Sequence, residues 1–305
     1  MTPLPYRSLS SHFRDQFGQR VHKITIDAGF TCPNRDGTLS TGGCMYCNAR
    51  GSGNGAHQAG LSIRQQIEDG KARLSRRFKA NLFMAYFQAF TNTYAPIPVL
   101  KACYDEALCV DGVAGLSIGT RPDCVSPEII DLLASYAKDR LIWVEYGLQS
   151  ANDTTLVRIN RGHDVACFER AVVATQNRGI KICAHVILGL PGETREDMLR
   201  TADRIADMGI DGVKLHLLYV VRKTPLEALY QKNGFRCLEQ DEYTDIVCAF
   251  IERLPPAMII HRLTGDPHPH ELAAPMWALE KQKTLSMIHD CFSRQKTWQG
   301  KKWKR

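Results

Sequence analysis

The sequence predicts an α/β protein in which a partial (β/α)6 barrel of the TIM type is followed by a C-terminal α/β extension. Apolar runs typical of buried strands alternate with amphipathic helical runs six times between residues 21 and 224. Repeated strand-then-helix units form parallel sheets. No G-x-G-x-x-G dinucleotide motif accompanies them, which favours an incomplete barrel over a doubly wound sheet. We therefore divide the chain into a lead-in segment at 1–20, a barrel core at 21–224 and an extension at 225–305 that closes the barrel.

Each element is predicted from the spacing of its apolar residues. In the lead-in, Leu9, Phe13 and Phe17 lie at roughly helical spacing. The six core strands are expected at 21–27, 81–87, 114–118, 141–146, 181–188 and 212–218, and their helices at 62–79, 99–108, from 127 onward, and at 165–178, 195–208 and 226–232. Pro127 suits the first turn of its helix, because no amide donor is needed there. The extension should contain a helix at 241–253, a short strand at 257–261 and a helix at 280–293.

Composition restricts the compartment and the partners. The formal net charge is +7 and the chain contains eleven cysteines. No apolar run is long enough to cross a membrane, and the first residues lack the apolar core of a signal peptide. Cysteine-rich chains without an export signal are expected in the reducing cytoplasm. Basic residues at 73–79 and 301–305 are compatible with nucleic acid, although a solvated helix face and a solvated tail are the alternative explanation.

One Gly-rich loop carries three cysteines, Cys32, Cys44 and Cys47, separated by eleven and by two residues. A structural zinc site needs four ligands, and no fourth Cys or His lies at a ligand spacing. A disulfide framework needs an even number of cysteines in a secreted chain. A cubane iron–sulfur cluster normally takes four thiolates, so three would leave one iron open to another ligand.

This loop, with the aromatic Tyr46 just before the last cysteine, resembles the cluster loop of radical S-adenosylmethionine (SAM) enzymes. The commonest spacing in that family has three residues between the first two cysteines, and this chain departs from it. The longer spacing is similar to that of the Elongator catalytic-subunit branch, and more closely to a short bacterial family of about this length. The alternative from another class is a zinc-stabilised RNA-binding module without catalysis.

The resemblance implies the cofactors and the reaction type. A [4Fe-4S] cluster would be bound by Cys32, Cys44 and Cys47, and the amino and carboxylate groups of SAM would chelate the open iron. The reduced cluster would cleave SAM to methionine and a 5′-deoxyadenosyl radical, with electrons from a low-potential flavodoxin or ferredoxin. Low cluster potentials lie within the range that proteins can impose.

Polar side chains at the predicted strand ends are the candidates for SAM binding, because the working residues of α/β barrels lie at the C-terminal ends of the strands. In strand order they are Gln88, Thr91 and Asn92; Ser117 and Arg121; Glu145 and Gln149; and His185 and Gly189, together with Tyr46 beside Cys47. Lys214 and His216 follow on the sixth strand, where His216 could contact substrate or be a buried core residue. Glu145, Gly147 and Gln149 should share one face of their strand.

The candidate residues are expected to bind different groups of SAM. Arg121 could pair with the SAM carboxylate, or instead form a salt bridge with Asp123 or Glu145. Glu145 and Gln149 could bind the ribose hydroxyls. Relatives carry Gly-Gly-Glu after the second strand to bind the methionine amine, so here one of Gln88, Thr91 and Asn92 would take that role. The resemblance places backbone at Gly189 against adenine, and His185 lies beside that turn. The Asn160–His163 turn also resembles a family feature, but no role follows from the sequence.

The substrate is predicted from the Elongator-type relatives, which modify the wobble uridine of tRNA. Those relatives carry an acetyltransferase domain, for which we expect no room after residue 225. A tRNA-modifying enzyme, acting on the side chain of a modified wobble uridine, is the first hypothesis. A small metabolite is the alternative substrate. Methylthiolation is disfavoured because no second C-x-x-C cluster motif is present.

Overall fold

Seven parallel strands form a single sheet that is curled into a half-barrel. The computed structural model describes residues 4–51, 53 and 55–304. The seven strands are β1 (His22–Ile26), β2 (Phe83–Phe87), β3 (Val113–Thr120), β4 (Leu141–Gln149), β5 (Lys181–Leu188), β6 (Gly212–Leu217) and β8 (Ile259–Arg262). They lie in chain order, each parallel to the next. The predicted partial barrel is confirmed, with a seventh strand from the extension added beside β6.

Helices connect the strands and pack against the sheet. They are α1 (Leu9–Phe17), α2 (Ile63–Phe78), α3 (Ile97–Leu108), α4 (Pro127–Ala137), α5 (Asp153–Arg158), α6 (Val165–Thr175), α7 (Arg195–Asp207), α8 (Pro225–Gln231), α9 (Gln240–Ile251) and α10 (Lys281–Arg294). Their starts follow from local chemistry. Ser62 caps α2 with a reciprocal bond to Gln65, and Pro127 begins α4 behind the cap residue Ser126, as predicted.

The two faces of the sheet differ in polarity. On β4, Val144, Tyr146 and Leu148 belong to the main apolar core between sheet and helices. The alternate residues Glu145 and Gln149 face the interior of the half-barrel, as the two-residue period of a strand requires. That interior also receives polar side chains from β1, β3, β5 and β6, so it is not filled for packing alone.

The lead-in segment blocks the interior at the N-terminal ends of the strands. Phe13 of α1 is buried in a small cluster with Trp143 of β4 and Ile259 of β8. The His12 ring meets the Trp143 ring edge-on, with centroids 6.0 Å apart. The interior is therefore accessible from the C-terminal ends, where the predicted site residues lie.

The extension contributes to both ends of the half-barrel. A two-stranded antiparallel ladder, β7 (Val220–Val221) with β9 (Leu272–Ala274), stands at the C-terminal ends of the strands and was not predicted. The division at residue 225 stays a prediction. Within the described part of the chain, no helix combines the length and apolarity needed to cross a membrane.

Candidate active site

The cysteine loop, residues 28–61 between β1 and α2, folds so that its three cysteines line one cavity of about 160 Å³, here called the thiol cavity. The eleven-residue spacer closes on itself through bonds from the Leu39 amide to the Pro33 carbonyl (2.8 Å) and from the Gly43 amide to the Asn34 carbonyl (2.7 Å). Cys44 is buried, and Cys32 and Cys47 are half-buried. The long spacing therefore still brings the first two cysteines to the same cavity.

The turn after α5 fastens this loop to the barrel. The Asn160 side-chain amide donates to the Gly43 carbonyl (2.7 Å), and the Asn34 amide donates to the Asn160 carbonyl (2.6 Å). Next to it, the buried Arg161 guanidinium donates to the Cys44 sulfur (3.5 Å) and to the Gly147 carbonyl of β4 (2.7 Å). The sequence singled out this turn without a role, and the structure supplies one.

Arg161 also stabilises the thiolate form of Cys44. Burial alone would raise the pKa of the Cys44 thiol, but the charge and the hydrogen bond of Arg161 bring that pKa below its ordinary value. Thiolates are the form that binds metals. For Cys47, burial raises the thiol pKa, and the Arg35 guanidinium opposes that rise.

The donor set fits an iron–sulfur cluster, because the three thiols line one cavity and a cubane presents a different iron to each thiolate. Cationic Arg161 and Arg35 beside the thiols would also compensate for the negative charge of a thiolate-bound cluster.

Most of the residues predicted to bind SAM line the thiol cavity. They are Tyr46, Gln88, Thr91, Arg121, Glu145, Gln149 and His185. Asn92, Ser117 and Gly189 are not among its lining residues. The Asn92 amide is buried and donates to the Gly119 carbonyl (2.7 Å), and Ser117 lies behind Glu145 as one of its donors. The Gly189 amide faces the Met198 sulfur at 3.2 Å. Their SAM contacts stay predictions.

Arg121 adopts the alternative arrangement considered from the sequence. Its guanidinium forms a forked pair with Asp123, at 2.8 Å from Nε to Oδ1 and 2.7 Å from Nη2 to Oδ2. Nη1 donates to the Arg161 carbonyl (2.8 Å). The carboxylate-binding edge of Arg121 is therefore already in use, and a contact with the SAM carboxylate stays a prediction.

Glu145 is the centre of a buried ionic network. Lys23 and the Ser117 hydroxyl contact Oε1, while His185 Nε2 (2.6 Å) and Lys214 Nζ (3.1 Å) contact Oε2. Burial alone would raise the pKa of Glu145, but Lys214 and Lys23 hold it well below its ordinary value. Burial lowers the pKa of His185 to about 3, so its imidazole is neutral and donates to the carboxylate.

A second, larger cavity of about 350 Å³, here called the outer cavity, adjoins the first. The two share Tyr46, Cys47, Gln88, Gln149, His185 and His216 as lining residues. The extension lines the outer cavity with Arg262, Glu271 and Leu272, and β6 and its following turn add Leu217 and Tyr219. The site thus consists of an inner chamber beside the thiols and an outer chamber at the strand ends.

Arg262 was not predicted as a site residue, because it lies in the part of the sequence where the regular alternation of strands and helices is lost.

The cysteine loop and the extension are joined at this mouth. The Leu226 amide of α8 donates to the Met45 carbonyl (2.9 Å), and Glu271 accepts from Asn48 (3.1 Å) and pairs with Arg50 (3.2 Å). Removing either segment would open the outer cavity.

Comparison with known proteins agrees with this arrangement. The family model described as the Radical SAM superfamily matches residues 34–205, and that of the Radical_SAM C-terminal domain matches residues 210–294. The chain is 41% identical to YtqA of Bacillus subtilis over 300 residues, which is 98% of this chain and 93% of YtqA.

More distant matches extend to the Elongator type. A tRNA uridine(34) acetyltransferase of Dehalococcoides mccartyi is 27% identical over 186 residues, covering 55% of this chain and 40% of that protein. The solved Elp3 of the archaeon Methanocaldococcus infernus superposes with a TM-score of 0.71 at 16% identity, covering 92% of this chain and 64% of that one. At this identity, the superposition shows a shared fold.

The first family match covers more than half of the chain, and the identity to YtqA extends over nearly all of it. The chain therefore belongs to the radical SAM superfamily, whose members are enzymes that bind a [4Fe-4S] cluster and SAM.

Proposed function

We propose that this radical SAM enzyme modifies tRNA, acting on the side chain of a modified wobble uridine. The observation that supports the proposal most directly is the 27% identity to a protein named for uridine 34 of tRNA. The chain spans 40% of that relative's length, so the relative's complete activity is not carried over. What is carried over is the radical SAM part and the class of substrate.

In this proposal Cys32, Cys44 and Cys47 would hold the cluster, which when bound would supply the electron for reductive cleavage of SAM to methionine and a 5′-deoxyadenosyl radical. Among the described residues, no further cysteine lines the thiol cavity. An iron without a protein thiolate would therefore be open to SAM. A low-potential flavodoxin or ferredoxin would be the electron donor, and the reducing cytoplasm is the compartment that suits the eleven cysteines.

The chain's own residues orient the two reactants and exclude water. Gln88 and Gln149 line both cavities, so they can donate and accept hydrogen bonds at the boundary between cofactor and substrate. Glu145 keeps two lysines of the interior paired and thus prevents their charges from being left uncompensated. Leu217, Leu218 and Leu272 give the outer cavity an apolar wall, which favours exclusion of water from a reactive intermediate.

The first prediction concerns the three thiols. After anaerobic reconstitution the wild-type protein should be brown and should form 5′-deoxyadenosine with dithionite and SAM. Cys32→Ser, Cys44→Ser and Cys47→Ser should each reduce product formation to background, because each removes one of three cluster ligands. Cys109→Ser is the matched control, since Cys109 is exposed at the end of α3. A colourless wild-type protein, or a serine variant with full activity, would contradict the assignment.

The second prediction tests the substrate class in cells. Nucleosides from tRNA of a strain lacking the gene should lack or accumulate one modified wobble uridine compared with the parent strain, as measured by liquid chromatography and mass spectrometry. Complementation with the wild-type gene should restore the profile, and complementation with Cys44→Ser should not. An identical profile in both strains would reject tRNA and leave a small metabolite as the substrate.

The location of basic residues bears on how tRNA would approach. Phe78 at the end of α2 stacks on His22, the first residue of β1, with ring centroids 5.2 Å apart. Lys302 donates its amide to the Glu252 carbonyl (2.8 Å), in the segment that leads into β8. Both basic stretches noted in the sequence therefore lie at the N-terminal ends of the strands, opposite the cavities. Exposed cations beside the outer cavity include Arg50, Arg222 and Lys223.

The third prediction uses these two faces. The double variant Arg222→Gln with Lys223→Gln should weaken tRNA binding, because fewer phosphates are then neutralised by the protein. The slope of log K against log salt should fall by about 1 for each phosphate that no longer meets a cation. The control, Lys301→Gln with Lys304→Gln, removes the same charge from the opposite face and should leave affinity and slope within error. If instead the control variant binds tRNA more weakly, tRNA does not bind over the cavity mouth.

A further inference from the structure

Arg262 is a cation that faces the outer cavity without a carboxylate partner among the described residues. It is the last residue of β8, and it lines the outer cavity and not the thiol cavity. Its Nη2 contacts both ring nitrogens of His216, Nδ1 and Nε2, and lies 2.8 Å from Nε2. Its Nε is buried and has no hydrogen-bond partner in the described structure. A buried donor left without an acceptor is costly, so the surrounding protein does not satisfy the guanidinium of Arg262.

His216 does not balance this charge. Burial, together with the nearby Arg262 guanidinium, holds the pKa of His216 well below its ordinary value. The imidazole is therefore neutral at physiological pH and accepts a hydrogen bond from Arg262. Its contribution is to fix the orientation of the guanidinium and not to neutralise it.

The acidic side chains that line the two cavities are already paired with other cations. Glu145 contacts Lys23 and Lys214, Glu271 pairs with Arg50 (3.2 Å), and Asp266 pairs with Lys281 (2.7 Å). Sharing any of these carboxylates with Arg262 would weaken an existing ion pair. The outer cavity is thus left with one uncompensated, oriented guanidinium among the residues that the structure describes.

We infer that Arg262 binds an anionic oxygen group of the substrate in the outer cavity, held in orientation by His216. A guanidinium presents a planar fork that matches carboxylate and phosphate groups. The anion is therefore either a carboxylate on the uridine side chain or a phosphate of the tRNA. The inference rests on the proposed function for the nucleoside part of the substrate. It adds that the substrate must carry a negative charge, which the similar proteins do not indicate.

The test is a binding measurement on the anaerobic holoenzyme with SAM present. Three probes are compared by equilibrium dialysis: uridine-5-acetic acid, uridine 5′-monophosphate and uridine. The wild-type enzyme should bind at least one anionic probe about tenfold more tightly than uridine, the gain expected from a charge-assisted hydrogen-bonded pair. The anionic probe that shows this preference identifies whether a carboxylate or a phosphate is bound.

Arg262→Gln should abolish the preference, and Arg262→Lys should keep part of it because the charge remains while the fork is lost. Arg14→Gln, an exposed change of the same charge on α1, should keep all of it. Because Arg262→Gln could also impair folding, Arg262→Lys and far-ultraviolet circular dichroism of each variant accompany the measurement.

Either of two results overturns the inference: equal binding of all three probes by the wild-type enzyme, or an undiminished preference in Arg262→Gln. Weaker SAM binding in Arg262→Gln with an unchanged probe preference also overturns it, because the anion would then be the SAM carboxylate. Failure of the tRNA proposal appears separately, as an unchanged nucleoside profile in cells. An unchanged profile together with an anion preference that is lost in Arg262→Gln would reject tRNA and keep the anion site.

Discussion

The bond between Arg161 and the Cys44 sulfur is the interaction on which the rest of the site depends. A buried guanidinium is stable only if acceptors surround it. Arg161 finds them in the Gly147 carbonyl of β4, which belongs to the rigid sheet, and in Cys44, which belongs to the cysteine loop. The loop is Gly-rich and has little regular structure of its own. This side chain and the neighbouring Asn160 amide therefore fix the loop against the strand ends, together with the bonds at Met45 and Asn48 described above.

The interior of the half-barrel follows a related principle. Glu145 would be unstable as an isolated buried anion, and Lys23 and Lys214 would be unstable as isolated buried cations. The opposite charges compensate one another in the buried interior. Ser117 and His185 supply further hydrogen-bond donors to the carboxylate. Glu145, His185 and Lys214 of this network line the thiol cavity, so fixed charges and dipoles face its interior. Arg262, at the end of β8, lacks such a partner in the described part of the chain, and that contrast distinguishes a binding residue from a structural one.

The fold could be predicted largely from sequence periodicity, and the details of the site only in part. Six alternating strand and helix runs predicted the parallel half-barrel, and the apolar run around Ile259 predicted the short strand of the extension. The helix α5 and the β7–β9 ladder were missed because a six-residue helix makes fewer than two turns, and strands of two and three residues are too short to show alternation. Membership in the radical SAM family also removes the support for the zinc-stabilised, non-catalytic alternative.

Side-chain partners were the part that sequence could not supply. The pattern placed Arg121 just after a strand, and the structure agrees, but Glu145 lies in the middle of β4 and not at its end. The sequence could not decide between Asp123 and SAM as the partner of Arg121, or show that both oxygens of Glu145 are already bonded. The contacts of Glu145 with Lys23 and Lys214 join residues from strands far apart in sequence. The sequence indicated Arg161 only as part of a turn. No local sequence pattern indicates that its side chain contacts a sulfur more than a hundred residues earlier.

The central claim is that one iron of the cluster has no protein thiolate and binds SAM. Electron–nuclear double resonance on the reduced holoenzyme tests it most directly, with SAM labelled with ¹⁷O in its carboxylate and with ¹⁵N in its amino group. We predict hyperfine coupling to both labels, which requires both groups to be bonded to an iron of the cluster. Absence of both couplings in a protein that binds SAM would contradict the account.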